Sequence, residues 1–448
     1  MEEQTEARSK GINDPEWVAA LKDQHPHDIA LEIRDLPINR TRALLRELPD
    51  GLASEVILEL PAHTQVLLFE SMRVSRLSGI IGEMFSDDVA DLLGQISPER
   101  LEKIMEQLPP GDAREISDLL KYEEDTAGGI MQTEVISVRE DLTIAETIER
   151  LRGMEDLNQS DGYFYVYVTD TNDRLRGVLR IRDLLFSKPD RLVRDIMIRE
   201  VRAVSVHADQ EEIARMFMHY GFSVVPVVDD FQRLRGIVTS DDVMDVMEEE
   251  ATEDMQRMIG LSGEESTATP WKESVRKRLP WLYVNLVTAF LAGSVVALFE
   301  STIAQYAVLA VFLPIIAGQG GNAGTQVLTI VVRSLALGEV PDNGQRAVLV
   351  KEIIVGVLNG LAIGIVVGAI AWLWKQNIAL GLVVFAAMLL NMVAASLAGV
   401  VIPFGLKALR IDPALASAIM LTTVTDVVGF FLFLGFAALA LSMFPFPV

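Results

Sequence analysis

One carboxylate stands alone in the apolar C-terminal part of the chain. Asp426 follows Asp412 after 13 uncharged residues and is itself followed by 22 uncharged residues. A carboxylate at mid-membrane costs about 2.5–3.5 kcal/mol on insertion scales, so it marks a functional site by default. Rings of Asp or Glu line cation pores, and two copies in a homodimer would place two such charges on one axis. We therefore expect Asp426 to bind a cation, against the alternative of an Asp that is kept neutral or pairs with a nearby Thr hydroxyl to fasten helices.

A second segment, residues 313–326, is rich in glycine and polar side chains inside an apolar run. Irregular backbone at membrane depth is tolerated only where protein or water covers it. The segment is therefore expected to break its helix and to line a pore or cavity. The alternative is tight helix packing through small residues. Three asparagines are candidates for the same cavity or for helix contacts: Asn322, Asn359 and Asn391.

The third feature is a run of carboxylates without a base, which precedes the first apolar segment. On a helix Asp242, Asp245 and Glu249 would share one face, where like charges repel. A solvated face is the usual meaning of such a run, but its place beside a membrane segment favours divalent cation binding. The eight carboxylates are Asp241, Asp242, Asp245, Glu248, Glu249, Glu250, Glu253 and Asp254.

Composition separates the 448 residues into an acidic part and an apolar part. The net charge of −24 lies in residues 1–279, because residues 280–448 carry six acidic and six basic side chains. The absence of cysteine excludes disulfide scaffolds and thiol catalysis. An acidic soluble part argues against nucleic acid and for cations or basic partners. The sequence shows no Walker A loop and no catalytic constellation, so we expect neither a primary pump nor an enzyme.

Five apolar runs are expected to cross a membrane: residues 279–299, 301–332, 353–374, 376–406 and 413–444. Each exceeds the roughly 20 residues that a spanning helix needs. Basic residues cluster before the first run, between the second and third, and between the fourth and fifth. The positive-inside rule then predicts a multi-pass protein of the cell membrane with its N-terminus in the cytoplasm and its C-terminus outside. The acidic N-terminus has no apolar core, so no signal peptide is expected.

Two repeats organise the acidic part. Leu-Pro recurs at residues 36–37, 48–49, 60–61 and 108–109, and the apolar spacing between them is helical, which predicts a stack of short helices over residues 15–125. A second repeat starts at Ile130-Met131 and Ile196-Met197 and closes with Leu-Arg-Gly at residues 175–177 and 234–236. It predicts two βαββα copies, with about seven extra residues near residues 158–162 of the first copy.

These features together resemble the MgtE family of magnesium channels, over nearly the whole chain. The most specific matches are Gly-Gly-Asn-Ala-Gly-Thr-Gln at residues 320–326 and Thr-Val-Thr-Asp-Val-Val-Gly at residues 423–429. The resemblance implies a multidomain membrane protein with an all-α superhelical N-domain (1–127), tandem α/β cystathionine-β-synthase-type (CBS) domains (128–245), an acidic connecting helix (246–272) and a five-helix transmembrane domain (273–448).

The resemblance also implies function. It predicts a magnesium-selective channel that imports Mg²⁺ as a homodimer in the membrane lipid, with Asp426 in the pore and cytosolic Mg²⁺ closing it. The implied sensor ligands are Asp87, Asp91, Asp209, Glu211, Asp242, Asp245, Glu250, Glu253 and Asp254. Two further acids of the family fall here on Met218 and Gly221. ATP as a regulatory ligand in the CBS cleft would contact Tyr165, Arg182, Asp183 and Phe222.

Other mechanisms fit parts of the same pattern. A secondary transporter could couple a divalent cation to Na⁺ or H⁺ through Asp426. A CBS-containing anion channel or nucleotide sensor is a third reading, but the lone membrane Asp weighs against anions because no Lys or Arg lies in mid-span.

Overall fold

The structure is a computed structural model that describes residues 15–154, 165–263, 265–267, 269–341, 344–415 and 417–443. The chain divides into two compact units, residues 1–247 and 248–448. The extra residues predicted near 158–162 lie outside the described residues.

Nine short helices come first among the described residues of the first unit. Prolines of the Leu-Pro pairs occupy the N-cap positions of four helices, and the leucines before them at positions 48, 60 and 108 are buried. Proline suits this place because its missing N–H would have no intrahelical partner. The helices are α1 Pro15–Leu21, α2 Pro26–Ile33, α3 Ile38–Leu45, α4 Asp50–Leu58, α5 Ala62–Ser71, α6 Val74–Ile81, α7 Ser86–Gly94, α8 Pro98–Met105 and α9 Pro110–Leu119.

These helices form a stack in which, from α2 onward, each helix packs on the helix two further along the chain. One continuous core runs through the stack, with Leu44, Ile57, Phe69 and Leu77 fully buried. The arrangement confirms the predicted stack of short helices, since no single helix of 7 to 10 residues could bury its apolar face alone.

Two βαββα copies follow, as the sequence predicts. In each copy the first two strands are parallel and the last two antiparallel. The first copy contains β1 Ser137–Arg139, α10 Ile144–Arg152, β2 Tyr165–Thr169, β3 Leu175–Arg180 and α11 Ile181–Phe186. The second contains β4 Val204–Ser205, α12 Gln210–Tyr220, β5 Val224–Val228, β6 Leu234–Thr239 and α13 Ser240–Met258.

The repeated glycines allow the backbones of the two copies to pair closely. Strand β3 pairs with Ile198 in the segment before β4, and β6 pairs with Gln132 in the segment before β1. A Cβ on Gly177 would lie 2.8 Å from the carbonyl oxygen of Ile198, and a Cβ on Gly236 would lie 2.6 Å from that of Gln132. Glycine stands at these two positions because the neighbouring backbone comes too close for any side chain.

The acidic helix differs from its predicted bounds. The sequence predicts a connecting helix over residues 246–272, whereas α13 runs from Ser240 to Met258 and the next helix begins at Trp271. Gly260 and Gly263 follow the end of α13 with φ of +81° and +93°, in the left-handed region. Left-handed glycines terminate helices readily, which explains why the helix stops here.

The second unit consists of long helices. Four of them, α14, α17, α18 and α19, are long and apolar enough to cross a membrane. The predicted second span, 301–332, is divided between a short helix and α16, whose polar residues keep it out of this group. The helices are α14 Trp271–Leu298, α15 Glu300–Gln305, α16 Leu309–Ala336, α17 Gln345–Lys375, α18 Ile378–Ala408 and α19 Ser417–Met443.

A row of glycines brings α17 and α18 together. Gly356, Gly360, Gly364 and Gly368 recur every fourth residue and are buried against α18. A Cβ on Gly360 would lie 3.0 Å from the carbonyl oxygen of Leu389. Residues four apart share a helix face, so this row lets the two backbones approach closely, as small residues do in membrane helix pairs.

Candidate functional site

An acidic cluster lies in the first unit, at the start of α7. Asp87 is 6% exposed, and its Oδ1 accepts a hydrogen bond of 2.9 Å from the backbone N–H of Asp88. Glu134 comes from the segment before β1, and its two oxygens accept hydrogen bonds of 3.0 and 2.8 Å from the backbone N–H and the hydroxyl of Ser86. A carboxylate is favoured at a helix N-terminus because the first N–H groups have no intrahelical partner. Glu134 therefore fixes the start of α7 and adds negative charge there.

Asp242, in the first turn of α13, belongs to the same cluster. Its Oδ2 accepts hydrogen bonds from the backbone N–H and the hydroxyl of Thr239. Burial, and then the charges of Asp88 and Asp242, raise the pKa of Asp87 well above its usual range. Burial and the Asp242 charge raise the pKa of Asp88 to about 7. Burial also raises the pKa of Glu134 and of Asp242. Carboxylates from three segments thus disfavour one another's ionised form.

Asp426 lies on α19 in the second unit, nine residues after its start. Its side chain is partly exposed and has no hydrogen-bond or ion-pair partner among the described residues. The neighbouring threonine hydroxyls do not donate hydrogen bonds to this carboxylate. Thr422, Thr423 and Thr425 instead donate to backbone carbonyls of the same helix, at 3.1, 2.7 and 3.1 Å. The Asp426 carboxylate is thus left available to a ligand.

The glycine-rich segment is helical, and the expected break in its backbone is wrong. Residues 313–326 lie inside the continuous helix α16. A Cβ on Gly324 would lie 2.7 Å from a methyl carbon of Leu421 on α19, and one on Gly320 would collide with Asn391 on α18. The small residues are there because three helices meet closely, and those neighbours keep the glycine-rich helix intact.

Asn391 fastens this helix junction. It is fully buried, and its Nδ2 donates to the backbone carbonyl of Ile316 at 3.0 Å. Its Oδ1 has no hydrogen-bond partner among the described residues. A Cβ on Gly429, one turn after Asp426 on α19, would lie 2.8 Å from Nδ2. Of the two roles left open for Asn391, the structure shows the one in helix contacts.

The end of α13 is tied to the start of α19 within the second unit. Arg257 forms an ion pair of 2.7 Å with Asp412, which lies just before α19, and a second ion pair with Glu253. Met258 packs in a small core with Leu421 of α19. The last turns of α13 can therefore move only together with the segment that leads to Asp426, or by breaking these contacts.

Known protein families match this arrangement along the chain. A model described as the MgtE intracellular N domain matches residues 24–125, the CBS domain model matches 127–189 and 193–249, and the MgtE divalent cation transporter model matches 313–436. The magnesium transporter MgtE of Thermus thermophilus is 35% identical over 432 residues, which cover 94% of each chain. The chain belongs to the MgtE family.

A second MgtE relative agrees. The magnesium transporter MgtE of Enterococcus faecalis is 36% identical over 333 residues, which cover 74% of this chain and 73% of that protein. A solved structure, the cytosolic domain of the Mg²⁺ channel MgtE in complex with ATP, is 37% identical with a TM-score of 0.48 and covers 51% of this chain and 93% of that chain. The MgtE relatives are transporters rather than enzymes, and the four apolar helices make this MgtE chain a multi-pass membrane protein.

The structure brings together some of the sensor residues predicted from the MgtE resemblance. Asp87, Asp242 and Asp245 act electrostatically on Asp88, and Asp91 lies one turn after Asp87 on the exposed side of α7. Within the ranges that the structure describes, no group of three His, Asp or Glu side chains is placed to hold a metal ion by itself. The cluster of this MgtE chain is therefore a concentration of charge rather than a closed coordination shell.

Other predicted sensor residues have structural roles. Asp209 is the N-cap of α12 and accepts a hydrogen bond of 2.8 Å from the backbone N–H of Glu211, and Glu211 pairs with Arg215 at 3.0 Å. Glu250, Glu253 and Asp254 belong to the part of α13 that lies in the second unit. These five carboxylates thus remain predicted ligands of the MgtE sensor.

The residues predicted for ATP divide between the two CBS copies. Tyr165 pairs with Arg180 across β2 and β3, and α11 with Arg182 and Asp183 begins just after that pair. Asp183 accepts a hydrogen bond of 2.8 Å from Arg180. Phe222 lies before β5 of the second copy and stacks on Tyr220 with ring centroids 5.4 Å apart. The first three residues therefore share one end of the first sheet.

Sequence reasoning missed Asp88 and Glu134. Asp88 is adjacent to a predicted ligand, and its raised pKa arises from burial that the sequence does not display. Glu134 contacts Ser86, which is 48 residues earlier. The second copy carries Glu200 at the matching place, so the repeat could have drawn attention to the position but not to its partner.

Proposed function

We propose that this MgtE-family protein is a magnesium-selective channel, closed by cytosolic Mg²⁺, that imports Mg²⁺ across the cell membrane as a homodimer. The observation that carries the proposal is the carboxylate of Asp426, which has no partner among the described residues and lies on a helix long and apolar enough to span the membrane. An ionised carboxylate is costly there, and a bound cation offsets that cost. The relatives named magnesium transporters support Mg²⁺ as that cation.

Hydrated magnesium suits this carboxylate. Mg²⁺ dehydrates reluctantly and is usually bound through one or two carboxylates with several waters retained. Two Asp426 side chains on a dimer axis would hold such an ion through its water shell. At roughly 2.3 kcal/mol per charge per 100 mV, a divalent ion gains about 4.6 kcal/mol on entry, so the pathway needs a gate.

The architecture that we propose has five membrane helices, with α16 as the second. Although α16 is more polar than the others, its 28 residues are enough to cross a bilayer, and its polar positions can face the pore. We keep the predicted division into an N-domain (1–127), a CBS pair (128–245), a connecting segment (246–272) and a membrane domain (273–448). The N-terminus is cytoplasmic and the C-terminus outside, as the basic residues between the spans indicate.

The acidic cluster is the sensor in this proposal. With Mg²⁺ absent, Asp87, Asp88 and Asp242 repel one another, and with Mg²⁺ bound that repulsion becomes attraction through the ion. A ligand shifts an equilibrium only by its differential affinity for the two states, and this cluster supplies that difference. The remaining predicted ligands, Asp91, Asp209, Glu211, Asp245, Glu250, Glu253 and Asp254, add weaker sites that make closure steep in magnesium concentration.

ATP is proposed as a regulatory ligand of the CBS pair. Tyr165 and Phe222 would contact the adenine ring, and Arg182 with Asp183 would contact the ribose. The support is the shared location of Tyr165, Arg182 and Asp183 at one end of the first sheet, together with the ATP complex of a related cytosolic domain. Because the ligand lies in the CBS pair rather than near Asp426, it would change the closing concentration and not the conductance.

The decisive experiment measures Mg²⁺ entry into proteoliposomes with an internal dye, alongside single-channel currents in planar bilayers. Asp426→Asn is expected to abolish entry, because it removes the charge at constant side-chain volume. Glu300→Gln is the matched control, since this exposed carboxylate of the membrane unit lies on the short helix α15, and it should conduct like wild type.

Two results would overturn the proposal. Wild-type conduction by Asp426→Asn would remove the pore assignment. Uptake that requires a Na⁺ or H⁺ gradient and never produces resolvable currents would identify a secondary transporter instead.

A further inference from the structure

A small cavity with four polar side chains in its lining lies between α16, α17 and α18 in the membrane unit. Its volume is about 80 Å³. It is lined by residues 323, 326, 327 and 330 of α16 and by residues 352, 355, 356 and 359 of α17. Both sets follow the i, i+3, i+4, i+7 spacing of one helix face. Met392 and Ser396 of α18, four residues apart, complete the lining.

The lining of this cavity includes a buried carboxylate. The side chain of Glu352, in the second turn of α17, is 4% exposed. Oε1 of Glu352 pairs with the ammonium of Lys351 at 2.9 Å, and the lysine is itself 65% exposed. Its second oxygen has no partner among the described residues. The carboxylate therefore has one coordination position to spare.

Three neutral polar side chains complete the lining. Ser396 is 2% exposed, and its hydroxyl makes no hydrogen bond within the described part of the chain. Gln326 and Asn359 are exposed, stand at the mouth of the cavity, and likewise make no hydrogen bond to described residues. Buried polar groups are nearly always satisfied, by water or an ion if not by protein. The cavity is therefore built to hold a polar guest.

We propose that this cavity is a binding site for a monovalent alkali cation, with the Glu352 carboxylate as its only charged ligand. Carboxylate, amide and hydroxyl oxygens are the ligands of hard cations. Gln326, Asn359 and Ser396 supply the neutral oxygens, and one or two waters complete the shell. The site goes beyond the proposed function, which concerns a divalent ion at Asp426.

Charge favours a monovalent over a divalent guest. Only one carboxylate faces the space, and one of its oxygens is already shared with Lys351. The site therefore offers at most one negative charge, and a divalent ion would leave positive charge uncompensated beside a buried carboxylate. A monovalent ion is the better match.

The site is separate from the Asp426 carboxylate. All lining residues come from α16, α17 and α18, and α19, which carries Asp426, contributes none of them. Glu352 is seven residues into α17, or roughly 10 Å along its axis. Binding at Glu352 can thus be measured without regard to whether the protein conducts Mg²⁺.

The test is equilibrium binding of radioactive Na⁺ to the purified full-length protein in detergent, with choline chloride keeping the ionic strength constant. The wild type should bind about one Na⁺ per chain, displaced by unlabelled Na⁺ or K⁺ and not by choline. Glu352→Gln should weaken binding about tenfold or more, because it removes the charged ligand at constant volume. Glu300→Gln, which changes an exposed carboxylate of the membrane unit outside the lining, is the matched control and should bind like wild type.

Two further variants separate a ligand site from a merely structural ion pair. Ser396→Ala should weaken binding about three- to tenfold, and it decides the question if Glu352→Gln fails to fold. Lys351→Met should tighten binding several-fold, because it removes the competing positive charge. If the ion pair were only structural, both Lys351→Met and Glu352→Gln would lower the stability of the protein. The two variants would then not change the Na⁺ affinity in opposite directions.

Three outcomes would overturn the proposal. One is the absence of saturable Na⁺ binding to the wild type at millimolar concentration. Another is equal loss in Asp426→Asn, which would place the bound ion at the other carboxylate. The third is displacement of Na⁺ by micromolar Mg²⁺ in the Asp426→Asn background, which would show that the cavity prefers a divalent ion. Failure of this site leaves the Mg²⁺ conduction measurements unaffected.

Discussion

At the scale of single residues, two pairs of aspartates in the first unit differ in what surrounds them. Asp170 and Asp229 occupy matching places in the two CBS copies, and each pairs with an arginine at 2.8 Å. Asp87 and Asp88 are instead acted on by other carboxylates, and burial raises the pKa of both. A carboxylate in an ion pair already has a compensating positive charge. A cluster of like charges has none, so a cation that binds there stabilises the ionised carboxylates. The second group is therefore where magnesium can change the free energy most.

The first prediction concerns pH in magnesium-free solution. The pKa of Asp88 is about 7 in the folded protein against an ordinary value of 3.8. Between these values the folded state binds more protons than the unfolded state, so stability falls as pH rises through the window and is lowest above pH 7. Calorimetric unfolding with a chelator should show the first unit less stable at about pH 8 than at about pH 5.5, by on the order of 1–3 kcal/mol.

Asp88→Asn supplies the control for that measurement. It removes one of the repelling charges, so the loss of stability toward pH 8 should become smaller, and millimolar Mg²⁺ should restore the wild type at pH 8. If stability instead rose with pH between about pH 5.5 and pH 8, the raised pKa of Asp88 would be wrong.

The second prediction concerns the magnesium sensor. Asp242→Asn removes a carboxylate that acts on both Asp87 and Asp88, so Mg²⁺ binding relieves less electrostatic repulsion in the variant. The Mg²⁺ concentration that closes the channel should rise about three- to tenfold, with the open-state current unchanged. Patch recordings with a graded cytosolic Mg²⁺ concentration measure this. Glu102→Gln, an exposed carboxylate on α8, should close like wild type. An unchanged closing concentration in Asp242→Asn would exclude the cluster as the sensor.

At the scale of elements, packing depends on where side chains are missing. The four buried glycines of α17 form one face against α18, and Gly320 and Gly324 of α16 do the same against α18 and α19. Glycine has a low helix propensity and destabilises an isolated helix. Its repetition at these positions indicates that close contact between helices stabilises the unit by more than the lost helix propensity costs. The membrane unit is thus held by interhelical contact at glycine faces.

The third prediction tests one of these faces. Gly360→Ala places a Cβ 3.0 Å from a backbone oxygen of α18, where relaxation is difficult, so we expect a loss of about 1–3 kcal/mol in the free energy of unfolding. Gly435→Ala on α19 is the matched control, since a Cβ there meets nothing within 4 Å. Thermal or detergent unfolding should leave the control unchanged or slightly stabilised. Equal behaviour of the two variants would argue against close packing at Gly360.

At the scale of the whole molecule, the proposed mechanism requires that ion binding by the acidic residues affects the proposed pore carboxylate. The contacts that the structure shows for this purpose lie inside the second unit, where Arg257 pairs with Glu253 and with Asp412. Met258 packs beside Leu421, five residues before Asp426. A sensor that moves α13 therefore acts on the start of α19, which carries the proposed pore carboxylate.

The fourth prediction is that Arg257→Met weakens closure. In the proposed mechanism α13 closes the pore while it is held against α19, and the variant removes the ion pair with Asp412. Partly exposed ion pairs contribute about 0.2–1 kcal/mol, so the closing Mg²⁺ concentration should rise about two- to fivefold. Lys277→Met, which removes the ion pair between Lys277 and Glu273 on α14, is the control. A lower closing concentration in Arg257→Met would reverse the assigned role of this contact.

The sequence by itself determined the features that depend on local pattern. The Leu-Pro period predicted the helix stack, because proline is favoured in the first turn of a helix, and the repeated Leu-Arg-Gly predicted two βαββα copies. The apolar runs predicted four of the membrane helices, since hydropathy over 20 residues needs no knowledge of neighbours. The isolation of Asp426 was likewise visible along the chain.

Only the tertiary structure decided what depends on distant neighbours. It showed that residues 313–326 remain helical, because Asn391 and Leu421 from other helices fill the space beside the glycines. It ended the acidic helix at Met258, and it placed Glu134 on Ser86. It also put Glu352 in a cavity with Ser396, which is 44 positions later. Burial and charge coupling arise between segments far apart in sequence, so no local pattern could have revealed them.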